Sequence, residues 1–234
     1  MGMCRHRLSM AFSLTLFLAV SPQALARENG YALKVVEAEA PTELAAAIRK
    51  ELGKQALRVV NSQGETLCDI WLRTAVPSKA TAEQIENGLT YREIEPTTLL
   101  GAIRYHQAGS DYRNQEIPAG VYTLRFALQP QDGDHMGTAP HSEFCLVMAA
   151  KLDESPDVLD LKELHKRSSK AVETSHPGVL LLFPYEKPGK EPVLKDEGMG
   201  HWVLRTSLKV KTADREATLG VGLTVVGHST AAAR

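Results

Sequence analysis

The chain is short of aromatic side chains, with 13 Phe, Trp and Tyr among 234 residues, which weighs against a sugar-binding platform built from exposed rings. It holds only three cysteines, too few for a disulfide-stapled scaffold. Neither sign of charge is in excess: 27 Lys and Arg against 28 Asp and Glu leave a formal charge of -1. No basic field therefore exists to draw in nucleic acid or anionic lipid. Signatures of common chemistry are missing too. There is no Gly-x-Ser-x-Gly elbow, no Ser-x-x-Lys, no His-Glu-x-x-His, and no phosphate-cradling glycine loop between a strand and a helix.

What is present begins with a targeting pattern. Arg5, His6 and Arg7 precede an apolar run of 13 residues from Leu8 to Val20, followed by Ser21-Pro22 and the small-residue sequence Ala24-Leu25-Ala26. Basic, apolar and cleavage regions in that order read as a secretory signal peptide over residues 1–26. The run is too short for a membrane span, which takes roughly 20 residues. The expected mature chain is therefore an exported, periplasmic or extracellular protein of residues 27–234, with no membrane span after cleavage. It carries 25 basic and 28 acidic residues, a net charge of -3. Cys4 departs with the leader. Cys68 and Cys145 remain, either bridged in an oxidising compartment or buried separately as small hydrophobes.

Residues 27–234 read as a single domain, mostly β. Tyr31–Glu39, Leu57–Asn61, Leu67–Val76, Leu99–His106, Phe144–Leu152, Gly178–Phe183, Trp202–Lys211 and Ala217–His228 all have strand character. The clearest alternation is in Val121–Gln129, with Tyr122, Leu124, Phe126 and Leu128 on one face and Thr123, Arg125 and Gln129 on the other. That pattern predicts an antiparallel strand with one solvated face. Two short helices are expected. One spans Pro41–Leu52, with Leu44, Ile48 and Leu52 on one face; the other spans Leu161–Val172, with Asp160 and Glu163 spaced as a capping pair. Many short strands with turn signals between them predict a single antiparallel β-sandwich with Greek-key-like connections. Gly220 and Gly222, inside the last strand, predict a close approach by a backbone, a ring or a ligand.

The segment Ile117-Pro118-Ala119-Gly120-Val121-Tyr122-Thr123-Leu124 places a Pro-Ala-Gly turn ahead of an alternating strand. With the stretch Gln129–Gly137 it resembles uncharacterised secreted bacterial β-sandwich proteins, over about residues 99–137. The resemblance implies the fold and carries no catalytic residue with it.

Polar chemistry is densest in Gln131–Glu143, where Asp132, Asp134, His135, Met136, His141 and Glu143 share one loop between strands. Counted from Asp132, the positions of Asp134, Gly137 and Glu143 match a calcium loop, although Met136 stands where an oxygen ligand belongs and the flanks are strands. His135 and His141, joined by His201, His228 or His106 from strand ends, could instead bind copper or zinc. An ordinary turn with Asp132 and Asp134 bonded to backbone amides accounts for the same residues. These readings converge on an exported binding or accessory module of the periplasm or cell envelope. Its expected site is at the 131–143 loop end, for a metal or small ligand, with an envelope protein as another class of partner. A secreted hydrolase using Asp132, Asp134 or Glu143 as acid and base is the alternative. Ser142 beside His141 gives no dyad, because strand neighbours point to opposite faces.

Overall fold

The computed structural model describes residue 1 and residues 30–130 and 138–229. After β1 (Tyr31–Glu37) the chain forms helix α1 (Ala46–Glu51) and the hairpin β2 (Gln55–Asn61) and β3 (Thr66–Leu72). The short strand β4 (Val76–Pro77), helix α2 (Ala82–Asn87) and strand β5 (Leu99–Tyr105) follow. Two brief strands, β6 (Gly109–Ser110) and β7 (Glu116–Ile117), lead to β8 (Gly120–Leu128) and β9 (Glu143–Ala149). Helix α3 (Leu161–Ala171) precedes β10 (Val179–Phe183), β11 (Val193–Asp196), β12 (Trp202–Lys211) and β13 (Glu216–Val226).

The principal strands join in the order β1-β2-β3-β5-β8-β9-β10-β13-β12-β11, with β4 added to β12 in parallel. The chain is mostly β, as expected, but the strand path curls into a half-barrel that is not clearly a sandwich. Successive strands pair with their neighbours, so the path runs chiefly as a meander. Strand β10 makes the bend: Val179, Leu180 and Leu181 pair with β9, while Leu182 and Phe183 pair with β13. Curling brings the ends of the path together, and the rings of Tyr31 and Trp202 meet edge-on at 5.6 Å.

Alternation along each strand determines what lies inside the curl. Val59, Cys68, Ile70, Ile103, Leu124, Phe126, Val147, Leu182, Leu204 and Val221 fall in one buried cluster. The outer face is covered in patches. Leu44, Ile48 and Leu52 pack on Trp71, Leu99 and Ala102, but the helix is shorter than the 41–52 span expected: of the three, Ile48 alone lies within α1, with Leu44 and Leu52 flanking it. Leu164 of α3 packs on Ala127, Leu146 and Met148, with the Asp160 side chain capping the helix by accepting the Glu163 N–H at 3.0 Å. Helix α2 adds a third helix among the described residues. Its Thr81–Gln84 capping box is complete, but it buries no side chain, so it has no apolar period to betray it.

One further expectation needs correction. The Thr123 and Arg125 face of β8 is not solvated: both residues are completely buried on the outer side of the sheet. On β3 as well, Asp69 and Trp71 are both buried. The glycine expectation, by contrast, is met by backbone. A Cβ on Gly220 would collide with the Tyr185 carbonyl oxygen, and one on Gly222 would lie 2.9 Å from that of Phe183. Tyr91 closes the same junction, its hydroxyl donating to the Phe183 carbonyl and accepting the Gly222 N–H, each at 3.0 Å. Cys68 and Cys145 are free and buried on β3 and β9.

Candidate functional site

Of the loop-end residues, Asp132, Asp134, His135 and Met136 lie outside the described residues. His141 stacks edge-on against Phe183 with ring centroids 4.9 Å apart. Glu143 opens β9 opposite Leu128. His201 is buried, 5.8 Å from the Tyr112 ring, and its Nε2 has no hydrogen-bond partner among the described residues. His228 is exposed just beyond β13. Tyr112 and Phe183 belong to one apolar cluster with Phe144 and Leu181, so His141 and His201 border the same patch. Among the described residues no group of three or more His, Cys, Asp or Glu is placed to hold a metal ion.

Beside that patch the outer face of the sheet is left open as a cleft of about 530 Å³. Its floor is apolar, made by Ala127 of β8, Phe144 and Leu146 of β9, and Val179 of β10, with Leu128 at the rim. Helix α3 supplies one wall through His165, Lys166 and Ser169. Tyr112 and Arg113 stand in the loop after β6, and Ser175 and His176 in the loop after α3. Gln129, Thr138 and Ala139 close the remaining side.

Both loops are held firmly. Asp111 is completely buried, and its carboxylate accepts the N–H groups of Arg113 and Gln115 at 2.8 Å each, the Gln115 side-chain amide at 2.8 Å and the Val179 N–H at 3.0 Å. This is an Asx turn extended across to a neighbouring strand. Burial pushes the Asp111 carboxyl above its ordinary range, while those four hydrogen bonds pull it back down. The Tyr112 N–H donates to the Val179 carbonyl at 2.7 Å, fixing Arg113 beside the floor. Across the cleft, buried Ser168 accepts the Gly178 N–H at 3.1 Å and so ties α3 to the segment carrying Ser175 and His176.

No family model, curated protein or solved structure matches this chain. Function must therefore be read from the side chains.

A second polar cluster lies on the outer face of β2, β3 and β5, away from the cleft. Buried Asp69 accepts two hydrogen bonds from Arg58, at 2.7 and 2.9 Å, and one from His106 Nε2 at 2.9 Å. Burial alone would raise the Asp69 carboxyl, but the hydrogen bonds and charges of Arg58 and His106 hold it below the usual carboxylate value. An imidazole whose Nε2 binds a carboxylate is left with Nδ1 for other partners, the arrangement of a general base or of a metal ligand with a carboxylate behind it. Asp69 is the partner found for this imidazole, and no hydroxyl or thiol nucleophile bonds to it among the described residues. The thiols are unsuited in any case. Burial pushes Cys145 up to about 12 and raises Cys68 as well, so both stay protonated at neutral pH.

Local motif reading missed His165, His176, Asp111 and the Asp69–His106 pair. The run Asp111-Tyr112-Arg113-Asn114-Gln115 did carry a signal, because Asp at the start of a turn with Asn in the left-handed region three residues on is turn chemistry. His165 and His176 lie in different elements, and only the fold brings them to one cleft.

Proposed function

We propose that this protein is an exported binding module of the periplasm or cell envelope, and that the cleft between α3 and the 111–115 loop takes a small ligand without turning it over. The observation that carries this reading is the cleft of about 530 Å³ itself, which sets apolar Ala127, Phe144, Leu146 and Val179 beside polar groups from two separate walls. Ligand sites commonly combine a concave apolar floor of some hundreds of cubic ångströms with a few fixed polar groups. The two pinned loops supply such groups without reorganisation, which favours binding. Export is supported by the leader-like sequence of residues 1–26. Among the described residues no helix is long and apolar enough to cross a membrane.

The test is titration with Nile red, a neutral dye that brightens in apolar surroundings. One dye per chain is expected, with binding abolished by Ala139→Trp, which fills the cleft from its half-exposed rim, and retained in His106→Ala, away from the cleft. Binding that survives Ala139→Trp refutes the cleft as the site. Sequencing the N-terminus of the exported protein tests localisation, and Arg27 is the expected first residue.

A further inference from the structure

The charges around the cleft point to the class of ligand. Building on the reading of the cleft as a ligand site, we propose that its ligand is a small amphipathic monoanion, a carboxylate head on an apolar body.

The floor can accept only the apolar part, since Ala127, Phe144, Leu146 and Val179 offer it no polar side chain. The head must then face the walls, where Arg113 and Lys166 are the formal charges among the described lining residues, both positive. These cations come from separate elements. Arg113 sits in the turn organised by Asp111, and Lys166 on the exposed side of α3.

The helix has one acid near Lys166, and that acid is shared between two cations. One oxygen of Glu163 accepts from Arg167 Nε at 2.7 Å, and the other forms a longer ion pair with Lys166 Nζ at 3.8 Å. Arg167 is further anchored by donating to the Leu152 carbonyl at 2.7 Å. One carboxylate thus stands against two cations, so this stretch of α3 keeps a net positive charge beside the cleft. Ser175 adds a hydroxyl on the wall after α3, able to donate to a carboxylate. A carboxylate so placed would gain charge-assisted hydrogen bonds beside an apolar surface, where they are stronger than in open water.

The experiment compares two probes of equal length by calorimetry, octanoate and octanamide, on the full exported chain. The expected result is octanoate binding tighter by about tenfold, the factor that corresponds to about 1.4 kcal/mol. Raising the salt concentration should erode that preference. The Arg113→Ser/Lys166→Ser variant should lose the preference while still binding octanamide. Lys166→Met alone, at an exposed position that cannot endanger folding, should lose part of it. Equal affinity for both probes, or an octanoate affinity untouched in these variants, overturns the anionic class and leaves the cleft standing. Failure of both probes to bind overturns the cleft reading itself.

Discussion

Two carboxylates of this protein are almost equally hidden from water, Asp153 and Asp69, each 3% exposed, yet they have opposite relations to their surroundings. Asp153 faces Arg125, which is itself completely buried and directs every guanidinium nitrogen to a partner inside the protein. Nε and one terminal nitrogen bind the two Asp153 oxygens at 2.7 and 2.8 Å, and the remaining bonds reach the carbonyls of Thr97, Ser155 and Asp157. Thr123 adds a hydroxyl to the same carboxylate at 2.6 Å. Asp69 instead bonds to two side chains that are themselves one-third exposed, Arg58 at 34% and His106 at 37%. The first pair is closed and staples the 153–157 segment to the sheet. The second is open on one side, where protons, ions and solvent can reach its partners. Burial of a charge thus says little about its role until the exposure of its partner is known.

The largest expected effect comes from opening the closed pair. Asp153→Ala leaves a guanidinium buried without its counter-charge and should cost about 3–5 kcal/mol of stability. Denaturant unfolding measures this directly. A double replacement, Arg125→Met with Asp153→Leu, removes the unpaired charge and should recover part of the loss, although three carbonyls lose a donor. A loss below about 1 kcal/mol in Asp153→Ala, the range of exposed pairs, would erase the distinction between the two clusters.

A smaller effect is expected from Asp69→Asn, about 1–3 kcal/mol, because a buried acceptor is replaced by an amide that cannot receive all three bonds. Its partners reach water, so its removal harms them less than the loss of Asp153 harms Arg125. The pH dependence has a definite sign. Asp69 is held below its ordinary value in the folded state, so its stabilisation is present above about pH 4 and is lost as pH falls through the lower, folded value. The gap between wild type and Asp69→Asn should therefore narrow in acid. Asp111 works in the other direction. Its carboxyl is raised on folding, so the native state takes up that proton first, and this group's contribution weakens as pH rises through the carboxylate range. Unfolding midpoints of wild type, Asp69→Asn and Asp111→Asn, measured from about pH 3 to about pH 7 to bracket carboxylate titration, should show slopes differing in these senses.

Much of the fold was legible because burial on one face leaves a period in the sequence. Leu44, Ile48 and Leu52 marked the buried segment around α1, although only residues 46–51 of it are helical, and Tyr122, Leu124 and Phe126 marked β8. Gly220 and Gly222 announced the approach of residues 183–185. The curl was not legible, since β10 changes partners in mid-strand without any break in Val179–Phe183. The polar faces misled for a physical reason. Arg125 looks like a solvent-facing residue in an alternating strand, and only the distant Asp153 and three carbonyls make its burial tolerable. Local spacing directed attention to the 131–143 loop, and it did reach one side of the cleft through Ala139. The opposite walls come from residues 112–113 and 165–176, whose convergence is a property of the sheet order and not of any motif.

The smallest effect expected is the most discriminating for the open cluster. His106→Ala removes one of three donors to Asp69 and leaves both bonds from Arg58 in place. An exposed imidazole contributes about as much as a surface ion pair, so the loss should stay below about 1 kcal/mol. Ligand binding in the cleft should be unaffected, because His106 is not among its lining residues. If His106→Ala cost as much stability as Asp69→Asn, the imidazole and not Arg58 would be holding the carboxylate, and the open cluster would have to be counted with the closed one as a staple. A small cost leaves His106 as a side chain that the fold orients but does not depend on, which is the condition under which an imidazole is free to bind.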